Sequence, residues 1–273
     1  MTERDTSPSQ KEWDAANYHR VSDPHVVWGT KVLDRLPLRG DEMVLDAGCG
    51  TGRLTALLLE RLPHGRVLAV DRSRNMLDQA AEFLRPRFGD QIDLVEADLI
   101  RLVPEQSVDA IFSTATFHWI LDHEALFRTL HDALRPGGRL VAQCGGGPNL
   151  QRLRDRIDVL AEKEPYRSAF ADWEKPVLYA GPEQTAARLA AAGFTGVRAW
   201  LESAPTVMPS ADAYREFLRT VICHPWLNRL GDDEQAKERF LDVLTEAAAD
   251  DDPPFLLDYW RLNMVAMSPS EPW

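Results

Sequence analysis

The chain has 273 residues, enough for one large domain or one domain with an appended cap, and 44% of them are hydrophobic, which allows a substantial core. Thirty-one basic against 43 acidic residues give a net charge of −12, which disfavours binding to a phosphate backbone. The three cysteines, Cys49, Cys144 and Cys223, make neither an even set nor a C-x-x-C pair, so a disulfide framework and a zinc site are not expected; nor is a membrane span, since no run of about 18 apolar residues is present.

The sparse cysteines make a reducing cytosol the expected compartment; residues 1–12 are polar, and Met1 to Gln10 hold no apolar signal core. Residues 13–36 carry Trp13, Tyr18 and Trp28 among charges and read as one or two short helices. Met43–Ala47 is an apolar run that predicts a buried strand. Leu54, Leu57, Leu58 and Leu62 then share one helical face, and Pro63-His64-Gly65 ends that helix. Arg66–Asp71 predicts a second strand. Ser73 is placed to cap the next helix, whose apolar face is Met76, Leu77, Ala80, Ala81 and Leu84. Ile92–Glu96 predicts the third strand, closing at Ala97-Asp98, and Val108–Thr114 the fourth. A helix through Leu126, Phe127, Leu130 and Leu134 stops at Pro136-Gly137-Gly138, and Arg139–Cys144 predicts the fifth strand.

Strand and helix thus alternate five times over about 100 residues, the pattern of a parallel sheet with right-handed crossovers. After Cys144 the rhythm breaks. Gly145-Gly146-Gly147-Pro148 reads as a flexible exit, and 149–182 as helix and loop. A helix at 183–192 precedes a strand at Gly193–Glu202, 210–249 is mostly helical, and Phe255–Met267 reads as a last strand with a bend. The expected fold is α/β, a doubly wound, mostly parallel seven-stranded sheet with a helical lid built from inserts after strands five and six. Residues 1–30 are expected to form an N-terminal cap segment. The core is expected at 31–145 and 183–203, lid at 146–182 and 204–253, and the last strand and tail at 254–273. Inserts after strand carboxyl ends lie above the sheet, where open α/β folds bind ligands.

The chemistry begins at the glycine turn. Asp46-x-Gly48-x-Gly50-x-Gly52 follows an apolar strand and opens a leucine-periodic helix, which is the setting of a nucleotide-binding turn. The dinucleotide fingerprint G-x-G-x-x-G fails: counted from Gly48 it meets Arg53, and counted from Gly50 it meets Thr55. A carboxylate at Asp46 repels a pyrophosphate and suits a cationic ligand. No G-x-x-x-x-G-K-[ST] loop is present. Asp71 ends the second strand about 20 residues past the turn, where a ribose hydroxyl acceptor is expected. Asp98 ends the third and can accept from an exocyclic adenine amine, with Met76 and Leu99 as apolar faces for the ring.

Taken together, VLDAGCGTG at 44–52, Asp71 after LAV, EADL at 96–99 and LRPGGRLVAQ at 134–143 resemble the motif series of class I S-adenosylmethionine (SAM)-dependent methyltransferases, over about residues 13–145. Within them, Trp13-Asp14-Ala15-Ala16-Asn17-Tyr18 and Phe117-His118-Trp119 are similar to the trans-aconitate methyltransferase group. The resemblance implies a Rossmann-like methyltransferase fold, SAM as cofactor and a small, carboxylated acceptor. It implies that Asp46, Gly48 and Gly50 line the methionine end of SAM, that Asp71 binds the ribose, and that Asp98 and Leu99 contact adenine. Thr114 to Thr116 would run beside the sulfonium, and Tyr18 would close over the cofactor. Arg72 and Met76 complete the candidate cofactor set with Cys49, a small side chain under the ligand.

The acceptor is less legible. A carboxylate is already ionised and needs cationic clamps, for which Arg215, Arg219 and Arg261 are candidates. A hydroxyl acceptor needs a base, and His118 stands in the right stretch, with His19 a lesser candidate. Trp119 is a candidate for the substrate wall. Hydroxyl O-, N- or C-methylation of a metabolite stays open beside carboxyl methylation, as does an NAD(P)-dependent oxidoreductase and a non-catalytic SAM-fold binder. The expected partner is a small molecule, with no nucleic acid, membrane or metal; oligomeric state is not legible.

Overall fold

A computed structural model describes residues 23–270. The expected cap segment 1–30 falls mostly outside the described residues. From Asp23 it is helix α1 (Asp23–Leu33), and the chain then enters the sheet. Strands β1 (Met43–Ala47), β2 (Arg66–Asp71), β3 (Ile92–Glu96), β4 (Val108–Thr114), β5 (Leu134–Gly145), β6 (Thr195–Ser203) and a last strand, β9 (Trp260–Met267), make one seven-stranded sheet. The spatial order is β3-β2-β1-β4-β5-β9-β6. All pairs from β3 to β5 are parallel, and β9 runs antiparallel to both β5 and β6. The order reverses between β1 and β4, so a crevice opens at their carboxyl ends.

The two faces follow from alternation along largely apolar strands that bury side chains on both sides. Leu45, Leu68, Ile111 and Leu140 face one side and pack on Leu126, Phe127 and Leu130 of α4 (His123–Ala133) and on Leu189 of α7 (Pro182–Ala191). Their neighbours Val44, Val67, Ala110 and Val141 face the other. There they meet α1, α2 (Arg53–Leu59) and α3 (Arg74–Phe88) through Leu33, Leu58, Leu77, Ala80 and Leu84.

A third cluster belongs to the lid. It joins Leu153, Ile157 and Leu160 of α5 (Gln151–Ala161) and Tyr166 of α6 (Tyr166–Phe170) to Phe217 of α8 (Ala211–Phe217), Trp226 of α9 (His224–Arg229), and Phe240, Leu241 and Leu244 of α10 (Glu234–Ala249). Two stretches of chain, one after β5 and one after β6, therefore share one core. Between α8 and α9 the helix widens to a π turn, Leu218–Ile222.

Three sequence expectations change. The glycine run is a packed elbow, not a flexible exit: Gly145 and Gly146 are buried, and a Cβ on Gly146 would lie 2.4 Å from the Leu262 Cβ and 2.8 Å from the Ala180 carbonyl oxygen. The run from Phe255 to Met267 is two strands. Leu256–Leu257 (β8) pairs with Thr206–Val207 (β7) under the lid, and only Trp260–Met267 joins the main sheet. The break is fixed by polar contacts: the Asp258 carbonyl accepts from Leu150 N at 3.1 Å, and the Tyr259 carbonyl from Ala204 N at 2.9 Å. Finally β5 starts at Leu134, which pairs with Val108 across a bulge, so α4 ends one residue earlier than its apolar face. Among the described residues no helix is long and apolar enough to cross a membrane.

Candidate active site

The crevice at the carboxyl ends of β1 to β5 is a cleft floored by the sheet and walled by the lid. Its floor begins where β1 runs out. Gly48 N and Cys49 N both donate to the Val70 carbonyl, at 2.8 and 3.0 Å, which folds the turn back over β2. Gly48 takes φ 85°, and a Cβ there would lie 2.1 Å from Thr116 Oγ1, so the residue is glycine on two grounds. Gly50, at φ 54°, has open space where a Cβ would stand, which leaves the backbone exposed to a ligand. Asp71 then ties the floor together. Its Oδ2 accepts from Gly50 N at 3.0 Å and its Oδ1 from Ser73 N at 2.9 Å, so one carboxylate holds both the glycine turn and the start of α3. Ser73 caps α3 by accepting from Met76 N.

The electrostatics of this floor select the sign of a ligand. Asp46 is 2% exposed, and its Oδ2 accepts from Thr55 Oγ1 at 2.7 Å. Burial pushes its carboxyl up to about 7; the Thr55 hydrogen bond opposes this and the Asp71 charge adds to it. Burial also raises Asp71, against the N–H donors of Ser73 and Gly50. Two carboxylates strained towards protonation are relieved by a cation and aggravated by a phosphate. The open glycine backbone and this acidic floor fit a sulfonium nucleoside carrying an amino group.

Beside Asp71, the cleft is lined by Arg72, Met76, Ala97, Asp98 and Leu99. Asp98 lies two residues past the end of β3 and caps the turn Leu99–Arg101, its Oδ1 accepting from Ile100 N at 3.1 Å. On the β4 side Thr114, Ala115 and Thr116 form the edge. Ala115 has φ 55° and Leu150 φ 54°; both are non-glycine residues in a left-handed conformation, and both line the cleft.

The far wall carries the polar groups an acceptor would meet. His118, 7% exposed, sits in a tight turn, Phe117–Trp119, after β4. Its ring stacks on Tyr179 at 5.6 Å and lies 5.0 Å from Trp119. Arg261, 3% exposed, is the second residue of β9 and pairs with Gly145. Its Nε donates to Gln143 Oε1 at 3.3 Å, and its guanidinium lies 4.7 Å from the Trp28 ring and 5.9 Å from that of Tyr259. Gln143 passes the chain on to Asn263, which is fully buried, at 2.7 Å. A buried guanidinium is costly to desolvate, and this one is offset by the Gln143 hydrogen bond and the two aromatic rings while it still lines the cleft.

The structure brings together Gly48, Gly50, Asp71, Arg72, Met76, Asp98, Leu99 and Thr114 of the expected cofactor residues, with His118, Trp119 and Arg261 of those expected for the acceptor. It does not bring the others. Asp46 lies beneath the turn, bonded to Thr55, and does not line the cleft. Cys49 packs into the core under α2 and α3, where burial raises its thiol well above the ordinary range. Arg215 and Arg219 are corrected: both turn outward to α10, where Glu238 takes both, Arg219 at 2.8 Å, and Asp242 takes Arg215 at 2.9 Å. Tyr18 and His19 lie outside the described residues. Sequence reasoning missed Asn149, Tyr179, Tyr259, Val221 and Ile222, all in the wall. The left-handed Leu150 and the buried glycines beside it mark this region, but neither has a sequence signature.

A methyltransferase-domain profile matches residues 44–138. The chain is 32% identical over 239 residues to the trans-aconitate 2-methyltransferase of Streptomyces coelicolor, covering 84% of this chain and 77% of that one. It is equally identical over 263 residues to that of an Azoarcus species, covering 93% and 98%. Among solved structures, phosphoethanolamine N-methyltransferase 2 of Haemonchus contortus, in complex with S-adenosyl-L-methionine, superposes with a TM-score of 0.61 at 19% identity, over 94% of this chain and 57% of that one. That likeness is one of fold.

Proposed function

The chain belongs to the trans-aconitate methyltransferase group of SAM-dependent methyltransferases, and on that premise we propose that it forms the methyl ester of a small carboxylic acid, of which trans-aconitate is the model. The observation that carries the reading is Arg261, a buried guanidinium in the cleft wall, held on the same rung of the sheet as the elbow beside His118.

SAM supplies an electrophilic methyl group. Gly48 and Gly50 would hold its methionine part, with the Asp46 charge beneath. Asp71, whose oxygens already receive two N–H donors, would take the ribose hydroxyls, and Met76, Asp98 and Leu99 the adenine. Thr114 to Thr116 would flank the reacting centre. Arg261 would hold the carboxylate that is methylated, turned towards the floor, and Trp119, Val221 and Ile222 would exclude water from it. No proton has to be removed from an ionised carboxylate, so the residues' task is alignment and dehydration. The core, 31–145 and 183–203 with the last strand in 254–273, would hold the cofactor and supply Arg261 and Trp119, and the two lid stretches, 146–182 and 204–253, would close over the acceptor.

The test is incubation of the purified protein with SAM and trans-aconitate, followed by mass spectrometry. A product heavier by one methylene and cleaved by mild base is expected. Arg261→Gln is expected to lower kcat/KM by about 10- to 100-fold, the worth of a charged hydrogen-bonded pair, with SAM affinity kept. A base-stable ether or an N-methyl product from any acceptor would sink the carboxylate reading.

A further inference from the structure

The last turns of β4 and β5 settle a proton that the sequence left open. β5 outruns its neighbour: Thr114, the end of β4, pairs with Gln143, and Ala115 N still donates to the Gln143 carbonyl at 2.8 Å. Two residues on, the next N–H on that edge is Gly145, and β4 is no longer there to receive it. A buried N–H without an acceptor is costly, and His118 supplies one. The chain leaving β4 turns back through Phe117–Trp119, and Gly145 N donates to His118 Nδ1 at 3.3 Å.

A backbone amide can only donate, so the nitrogen it meets carries no proton. The neutral ring then holds its proton at Nε2. The surroundings keep the ring in place. Tyr179 stacks on it at 5.6 Å, and the Leu178 N–H donates to the His118 carbonyl at 2.8 Å. A Cβ on Gly145 would lie 2.7 Å from both Asn149 Nδ2 and Tyr179 Cε1, so only glycine brings the amide this close to the stack.

We propose that Gly145 is a positioning residue that fixes His118 as its Nε2–H tautomer, and that His118 is therefore a hydrogen-bond donor to the acceptor's carboxylate and not a general base. The claim about the acceptor rests on the carboxyl-methylation reading; the tautomer does not. With Arg261 of β9 paired to Gly145 of β5, one rung places both groups that would grip the acceptor.

Two measurements test it. Nitrogen-15 NMR of histidine-labelled protein, with His118 assigned by its loss in His118→Gln, is expected to show Nδ1 unprotonated and Nε2 protonated. A proton on Nδ1 overturns the proposal. The second is kinetics on trans-aconitate as probe. A glutamine amide reaches the Nε2 position and an asparagine amide the Nδ1 position. His118→Ala is expected to lose about 10- to 100-fold in kcat/KM, mostly through KM, the usual cost of a hydrogen bond to a charged group. His118→Gln should recover most of it and His118→Asn little. Gln as impaired as Ala, or Asn as the better replacement, overturns the donor role. If no ester forms while SAM still binds, the carboxylate reading fails and the tautomer spectrum still stands on its own.

Discussion

Asp46 shows how much one residue decides beneath a site it does not line. Its carboxyl, pushed up to about 7, binds a proton in the folded protein over a pH range in which the unfolded chain has lost it. The folded state then holds more protons, so stability falls as pH rises from about 4 towards 7. A bound cation favours the ionised form and acts in the opposite sense. SAM affinity is expected to rise about tenfold between pH 6 and 8, with a proton released on binding; titration calorimetry in two buffers of different ionisation enthalpy reads both. Asp46→Asn should flatten that profile and weaken binding. It should also raise the melting temperature, more at pH 8 than at pH 5, because Thr55 can still donate to the amide oxygen. A melting curve unchanged by the substitution at both pH values would contradict the burial argument.

At the scale of the element, what was legible followed from local pattern. β1 to β4 and their helices announce themselves by apolar runs and one-sided periodicity, and the glycine turn with Asp71 and Asp98 needs only its own neighbours. The cleft floor was readable for that reason. The wall was not, since Asn149, Tyr179, Val221, Ile222 and Tyr259 come from four separated segments that meet only when the two lid stretches close on one core. Arg215 and Arg219, four apart on a cap segment, read as a clamp; the partner that claims them, Glu238, lies on another helix. Gly145 to Gly147 read as slack because glycine marks both flexibility and close approach. Gly146→Ala tests which holds: it is expected to cost about 1–3 kcal/mol in a denaturant titration, as overpacking against Leu262 and Ala180 does. A neutral or stabilising change would restore the flexible reading.

For the whole molecule, the separation of three apolar clusters predicts separable failure. Phe240 is fully buried in the lid cluster, in edge contact with Tyr166 and Phe170. Phe240→Ala should cost about 3–5 kcal/mol, and the loss should fall on the lid. Hydrogen exchange is expected to rise in α5 and α10 while β1, β2 and β4 keep their protection. SAM should bind within a few-fold of its usual affinity and turnover should collapse. Uniform exchange through both regions would show one cooperative unit instead.

The indole of Trp28 gives this molecule an optical channel. It lies 4.7 Å from the Arg261 guanidinium and 5.0 Å from Tyr259, on a helix that also packs against the sheet. A carboxylate arriving at Arg261 alters the field across that ring, so Trp28 emission should shift with acceptor occupancy before any methyl group moves. Subtracting the Trp28→Phe signal isolates it from the other seven tryptophans, and the enzyme would then report its own loading in real time, without a label.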